Sequence, residues 1–373
     1  MDFGIFNLLQ HRHRSQSSHQ VLAEALEHTR LAEELDFSRV WFAEHHFSNY
    51  SLCPSPLLMC TQAAAMTRRI RVGTAVLILP LHVPARLIAE IALVDALSGG
   101  RLDVGVGSGY QSYEFERFGA DLADNKVMFH EMLDMIELGL REPHFSYQGR
   151  YFQQQQTAIN VRPVQAPRPP IWVAGADPNS HRRCARDGYV PFISGGIESA
   201  HNLRRMRDGI ESIYAEEGID AQSVPLGVLR FLFVSERRDE IDRYVDSARY
   251  QKRIAMALRH RQQVMVEDYM VDEKPFANEP DFEQVERNLI VGGAHEVAQR
   301  LCEEIELYGP SHMSIYFAVG DVPHRAVTEA MTRFARDVVP LIEQQFGKPL
   351  SEINPLLVPK AAVSTPGSLQ STG

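Results

Sequence analysis

Short, nearly continuous apolar runs recur along the chain, and each is followed by a stretch whose apolar residues fall at spacings of three, four and seven. The first pattern predicts buried strands and the second amphipathic helices. Strands are expected over 3–9, 37–42, 70–79 and 101–107. Helices are expected over 19–35 and 57–67, and from Pro84 to a stop at Ser98-Gly99-Gly100. In the first helix Leu22, Ala25, Leu26, Ala32 and Leu35 share one face. Ser55 ahead of Pro56 suits an N-cap and a first helical position. The run 70–79 has the unbroken apolar character of a parallel strand covered on both sides.

The alternation continues with a helix over 125–140, a strand over 171–174, a helix over 179–186, a strand over 191–194, a helix over 201–217 and a strand over 226–234. The stretch Ile290-Val291-Gly292-Gly293 then leads a helix over 294–308, followed by a strand over 313–318 and a last helix over 323–346. Two segments interrupt it. Residues 142–170 hold a glutamine run and four late prolines, and read as an excursion with a hairpin. Residues 259–288 are charged and weakly periodic, the mark of a mobile lid. The expected organisation is one domain over 1–346 and an extended or disordered tail over 347–373. Eight βα units predict an α/β fold, a closed (β/α)₈ TIM barrel with insertions. An open doubly wound sheet would want glycines after its first strand, where this chain has Leu8-Leu9-Gln10-His11.

Composition narrows the function. A length of 373 residues is normal for one barrel with insertions, and 44% hydrophobic with 23% charged residues is ordinary for a globular protein. A net charge of −10 argues against a nucleic-acid surface. Arg204, Arg205 and Arg207, beside Asp208 and Glu211, read as a solvated helix face. Cys53, Cys60, Cys184 and Cys302 are scattered, so neither a disulfide framework nor a structural metal is expected, and a reducing compartment fits. Met1 to Gln10 has no basic region ahead of its apolar residues, unlike a signal peptide. No apolar run approaches the roughly 18 residues of a membrane span. The expectation is a soluble, cytoplasmic protein.

In such a barrel the chemistry sits just beyond the C-terminal ends of the strands. Four places there stand out. Glu44-His45-His46-Phe47 follows the second strand and admits a metal pair, an acid/base group or a polar loop cap. Adjacent histidines on extended backbone point to opposite faces, and no HExxH spacing is present, so no shared metal is expected. Gly73-Thr74-Ala75-Val76 offers small residues that make room for something flat, or simply pack tightly. Gly105-Val106-Gly107-Ser108-Gly109-Tyr110 follows the fourth strand and lets backbone N–H groups approach an anion or ring. It is followed by Glu114-Phe115 and Phe118-Gly119, without a clean helix start. Val173-Ala174-Gly175-Ala176-Asp177-Pro178-Asn179-Ser180 joins a strand to a helix N-terminus, which suits a phosphate. Equally, Asp177 or Asn179 serves as the helix cap.

Taken in order, these pieces resemble the bacterial luciferase-like flavin-dependent monooxygenase family, over about Met1 to Phe346. The strongest parts are Val40 to Phe47, Arg71 to Pro80, Leu97 to Leu102 running into the glycines, and Ala318 to His324. The resemblance implies a barrel that takes reduced FMN at its C-terminal mouth and uses O₂ to oxygenate a small organic substrate through a flavin 4a-hydroperoxide. By that likeness His45 is the candidate acid/base. Ala75-Val76 matches a bond that is often a non-proline cis peptide under the flavin ring. Gly107, Ser108, Gly109 and Tyr110, with Gly175, Ala176, Asp177 and Ser180, match flavin and phosphate contacts. A separate NAD(P)H-flavin reductase is implied, as is a homodimer. Luciferase has a reactive cysteine where this chain has Gly107, an arginine where it has Ser108, and a glutamate where it has Gly175, so light emission is not implied. A deazaflavin-dependent oxidoreductase on the same fold and a non-catalytic flavin-binding barrel are the alternatives.

Overall fold

The computed structural model describes residues 1–220, 223–267 and 269–353, and the backbone of 362–363. Eight strands form the barrel: β1 (Asp2–Asn7), β2 (Arg39–Phe42), β3 (Arg71–Thr74), β4 (Leu102–Gly107), β5 (Ile171–Ala174), β6 (Val190–Gly196), β7 (Gly227–Arg230) and β8 (His312–Ile315). Each pairs in parallel with the next, and β8 returns to β1 with Asp2 opposite His312, so the sheet closes. The fold is a (β/α)₈ barrel. Side chains alternate across its wall. Asp2 and Phe6 of β1 face inward, where they meet His312 and Tyr316, while Phe3 packs outward on Phe334.

The surrounding helices are α1 (Ser18–Glu34), α2 (Pro56–Met66), α3 (Pro84–Leu97), α4 (Ser112–Phe118), α5 (Asn125–Arg141), α6 (Pro178–Asp187), α7 (Ala200–Glu216), α8 (Arg238–Arg259), α9 (Phe282–Asn288), α10 (Ala294–Tyr308), α11 (His324–Arg333) and α12 (Val339–Phe346). Local chemistry sets their ends. Proline opens α2, α3 and α6, where its missing N–H costs nothing. Ser17 caps α1 by accepting the Gln20 N–H at 3.1 Å. Ser55 holds the predicted cap position of α2 but makes no cap hydrogen bond.

The pattern reading needs correction in several places. The strand expected over 70–79 stops at Thr74, and Leu77–Ile78 resume against β4 after an irregular step. The strand expected over 226–234 splits, and Leu232–Val234 leave the barrel to pair with Ile290–Gly292. The last helix is interrupted by a π-helical turn at Phe334–Val338; Pro340, inside α12, has no N–H to continue the α ladder. Helices α4 and α8 were not foreseen, although α8 buries Ile241, Tyr244, Val245, Ala248 and Ile254 at helical spacing. The excursion is a hairpin of His144–Gln148 with Gln153–Ala158. Its turn is held by Glu131, whose carboxylate accepts the N–H groups of Arg150, Tyr151 and Phe152 at 2.7, 3.0 and 3.0 Å. The expected structureless stretch 259–288 instead contains a small hairpin (Met265–Val266 with Tyr269–Met270) and α9.

The expected tail over 347–373 lies outside the described residues beyond 353, apart from the backbone of Ala362–Val363, which pairs with Gln165–Ala166. Before that point the chain is not extended. Leu350–Glu352 makes a 3₁₀ turn, and the Met1 ammonium donates to Leu350 O at 2.7 Å and to Ile353 O. Among the described residues no helix is long and apolar enough to cross a membrane. The four cysteines are free and buried.

Candidate active site

The ends of β2 to β5 bring the four predicted motifs to one face of the barrel. The two histidines after β2 diverge, as extended backbone requires. His46 Nε2 donates to Glu44 Oε1 at 2.8 Å, whereas His45 Nδ1 meets Glu114 Oε1 at 3.0 Å. Glu44 is fully engaged: it also accepts His82 Nε2 at 2.9 Å and the Ile78 N–H at 3.0 Å. Burial alone would raise its pKa, but the bonds from His46, His82 and Ile78 outweigh burial and hold it at about 2. Glu44 therefore ties the loops after β2 and β3 together as a fixed anion.

Glu114 is different. It projects from the unforeseen helix α4, whose C-terminal Gly119 sits at φ +69°. Its Oε1 accepts both His45 Nδ1 and the His46 N–H at 2.7 Å. Its Oε2 is buried without a partner among the described residues. The carboxylate places the Nδ1 proton of His45 toward itself, which leaves Nε2 as the free ring nitrogen. The His45 ring lies edge-on to Tyr50, 4.7 Å away, and to Tyr110, 6.0 Å away. The two phenols meet at 3.3 Å, and Gln251 of α8 donates to Tyr50 at 2.9 Å. Burial, with Tyr110 adjacent, raises the Tyr50 pKa well above its usual value, so this phenol stays protonated.

The Ala75-Val76 peptide is cis. The small residues before it do not make room for a ligand: a Cβ on Gly73 would overlap the Trp41 ring. Tight packing is the correct reading there. A Cβ on Gly107 would come within 2.8 Å of Val76, so Gly107 lets β4 close on the cis step. Tyr110 and Gly109 follow, with Gly109 O accepting Asn125 Nδ2 at 2.9 Å.

Ser108, Ala174, Gly175, Ala176, Asp177 and Ser180 line a cleft of about 320 Å³. Gly175 has φ +126°, and the space where a Cβ would stand is open to 4 Å, so bare backbone faces the cleft. Asp177 caps α6, its Oδ2 accepting the Ser180 N–H at 3.1 Å. Its Oδ1 pairs with Lys126 Nζ at 2.7 Å, and Lys126 lines the same cleft. The sequence reading missed Lys126, Glu114, His82 and Tyr50. Lys126 carried no motif, opening an ordinary helix; Glu114 stood inside a quoted stretch without an assigned role.

The model for luciferase-like monooxygenases matches residues 1–312. The chain belongs to the luciferase-like monooxygenase family. It is an oxidoreductase of that group. An uncharacterized protein of Sinorhizobium fredii, y4vJ, is 38% identical over 348 residues, covering 93% of this chain and 99% of that one. The oxygenase component of the flavin-dependent trigonelline monooxygenase of Acinetobacter baylyi is 29% identical over 245 residues, covering 64% of this chain and 67% of that one. Among solved structures, the monooxygenase RslO1 from Streptomyces bottropensis has a TM-score of 0.79 at 24% identity, covering 91% of this chain and 99% of that one. An F420-dependent secondary alcohol dehydrogenase shares the fold with a TM-score of 0.70 at 16% identity, covering 91% and 98%.

Proposed function

We propose that this monooxygenase is the oxygenase half of a two-component system, taking reduced FMN from a separate NAD(P)H-flavin reductase and oxygenating a small organic substrate with O₂. The observation that carries the reading is that the loops after the barrel strands bring a cleft lined by the Lys126 cation and the His45–Glu114 pair to the same end of the barrel. The A. baylyi relative, named an oxygenase component, supports a partner reductase.

The residues fit FMN. Its phosphate would sit at the start of α6, on backbone N–H groups around Gly175 and Ala176, the hydroxyls of Ser108 and Ser180, and the Lys126 ammonium. Lys126 supplies the cation absent at Ser108, and Asp177 holds it at the cleft while capping the helix. The isoalloxazine ring would lie against Ala75-Val76 and the Gly107 to Tyr110 backbone. Bound reduced FMN supplies the electrons that activate O₂. His45, its Nδ1 side fixed by Glu114, presents Nε2 to give or take a proton at the reacting oxygen. Tyr50, Tyr110 and the segment over 259–288 keep water from the mouth. That segment is the lid. It is pinned by Arg12 on Glu273 at 2.9 Å and by the Met270 N–H on Asn49 at 2.8 Å. Leu93 and Leu97, exposed one turn apart on α3, support a homodimer through that face.

The deciding experiment mixes anaerobic protein carrying photoreduced FMN with oxygenated buffer and follows the return of oxidised-flavin absorbance. Delay by orders of magnitude relative to free reduced FMN is the expected outcome. Reoxidation as fast as in free solution, with tighter binding of a reduced deazaflavin than of reduced FMN, would favour the deazaflavin-dependent oxidoreductase that the likeness to the F420-dependent dehydrogenase keeps in view. Tight FMN binding without turnover on any carbonyl or aromatic substrate would leave a flavin-binding barrel.

A further inference from the structure

The interior of the barrel is filled on one side and open on the other. Its lower layer is closed. There Phe192 of β6 lies 5.9 Å from Trp41, 6.2 Å from Trp172 and 6.5 Å from His312, ring centre to ring centre. Nearer the mouth, Phe6, Tyr316 and Phe231 fill the side formed by β1, β8 and β7. All three are buried, and the two phenylalanines meet the tyrosine ring edge-on at 5.0 and 5.1 Å.

Strands β5 and β6 supply nothing of that size. Ser194 stands two residues beyond Phe192, so strand alternation turns it to the same inner face, one step nearer the mouth. Its neighbour Gly195 faces outward, where a Cβ would meet Arg230, the partner of Glu304 on α10. Ser194 is nevertheless exposed, whereas Leu229, opposite it on β7, is buried. On β5, Ala174 pairs with Phe192 and is half-buried, and Ala176 is exposed. A residue on the inner wall of a barrel is exposed only where the space in front of it is empty; a leucine at 194 would fill that space as Leu229 fills its own. The Ser194 hydroxyl makes no hydrogen bond to the described residues.

The position is set against the chemistry. His45 follows β2, and β6 lies four strands from β2 in either direction round the closed sheet, so Ser194 stands on the wall opposite. The wall between them, at the ends of β3 and β4, is the one assigned above to the flavin ring. We propose, on that flavin reading, that Ser194 is a specificity-determining residue. It lines the part of the mouth that holds the organic substrate beside the flavin. Its small side chain leaves the room, and its hydroxyl bonds a neutral carbonyl or hydroxyl group at the end of the substrate remote from the reacting atom.

The first test needs no known substrate. The four native cysteines are buried, so the parent should be nearly inert to methanethiosulfonate reagents, and Ser194→Cys should react about 100-fold faster. With FMN bound the variant should still accept both the methyl and the benzyl reagent. The benzyl adduct should shift the absorbance of the bound flavin and leave FMN affinity unchanged. On a carbonyl substrate that the parent oxidises, Ser194→Ala should raise KM about five-fold, the loss expected of one hydrogen bond, with kcat unchanged. FMN binding to the parent is measured first: its failure would end the flavin reading and this assignment with it. Where the parent binds FMN, a thiol as silent as the native four, an adduct that displaces the flavin, an adduct that leaves its spectrum unchanged, or a KM untouched by Ser194→Ala would overturn the role of Ser194 alone.

Discussion

At the floor of the barrel Asp2, Arg39, Arg71, Asp103 and His312 form one ion network; at the mouth Glu44, His45, His46, His82 and Glu114 form another. On the floor every member is paired. Arg39 bridges Asp2 at 2.6 Å and Asp103 at 3.0 Å, Arg71 grips both oxygens of Asp103 at 2.8 Å, and His312 joins Asp2 while accepting Trp41 Nε1 at 2.9 Å. Against the upward push of burial, Arg39 and His312 hold Asp2 well below the usual carboxylate range. This network stitches β1, β2, β3, β4 and β8 into register. At the mouth Glu44 is equally saturated, yet Glu114, bonded to the adjacent His45, keeps a buried oxygen with no partner among the described residues, as do Ser48 and Gln111. A closed set of charges serves the architecture; an unfinished one marks where something else must bind or react.

The sharpest way to break the comparison is at the floor. Arg39→Met leaves Asp2 and Asp103 short of a buried partner and should cost about 3–5 kcal/mol in urea unfolding. A variant as stable as the parent would show that the floor network does not hold the barrel. Next is Glu44, the closed half of the mouth. Its folded pKa of about 2 lies below its usual 4.5, so its contribution is complete above pH 4.5 and is lost as pH falls toward 2. Glu44→Gln should therefore cost about 3 kcal/mol at neutral pH, and the gap to the parent should narrow through that acid window; a gap independent of pH would refute it.

The open half should respond in function and not in stability. His45→Ala should slow turnover about 100-fold while leaving reduced-FMN affinity and Tm nearly unchanged. Equal losses in affinity and turnover would make His45 a binding residue. The smallest effect is expected at the cleft. Lys126→Ala should weaken FMN binding roughly ten-fold and leave riboflavin, which has no phosphate, unaffected. A matching loss for riboflavin would move Lys126 out of the phosphate site.

Much of this was legible in the sequence, unevenly. The eight βα units were readable because strands buried on both faces and helices buried on one have different periods. The mouth motifs were readable because they follow strand ends. The split at Ala75-Val76 lay inside a run whose apolar character never changes, so periodicity could not mark the end of β3. Glu114 was hidden because α4 is only seven residues long and half of it is buried. The pairing of Lys126 with Asp177 spans 51 positions and depends on how α5 packs beside α6, which no local pattern encodes. The two floor arginines were invisible for the same reason: residues 2, 39, 71, 103 and 312 meet only once the sheet has closed.

That closure has a consequence for how the protein is made. The seam between β1 and β8 joins Asp2 to His312, 310 positions later in the chain, so β1 keeps an open second edge until β8 is available. Through most of synthesis β1 and the newest strand both present open edges, and the inward-facing Asp2 stands without its imidazole. Seven strands of a growing chain then form an open, sticky sheet instead of a barrel. A pause in translation before β8 has emerged should therefore do more harm to yield than the same pause once it has emerged.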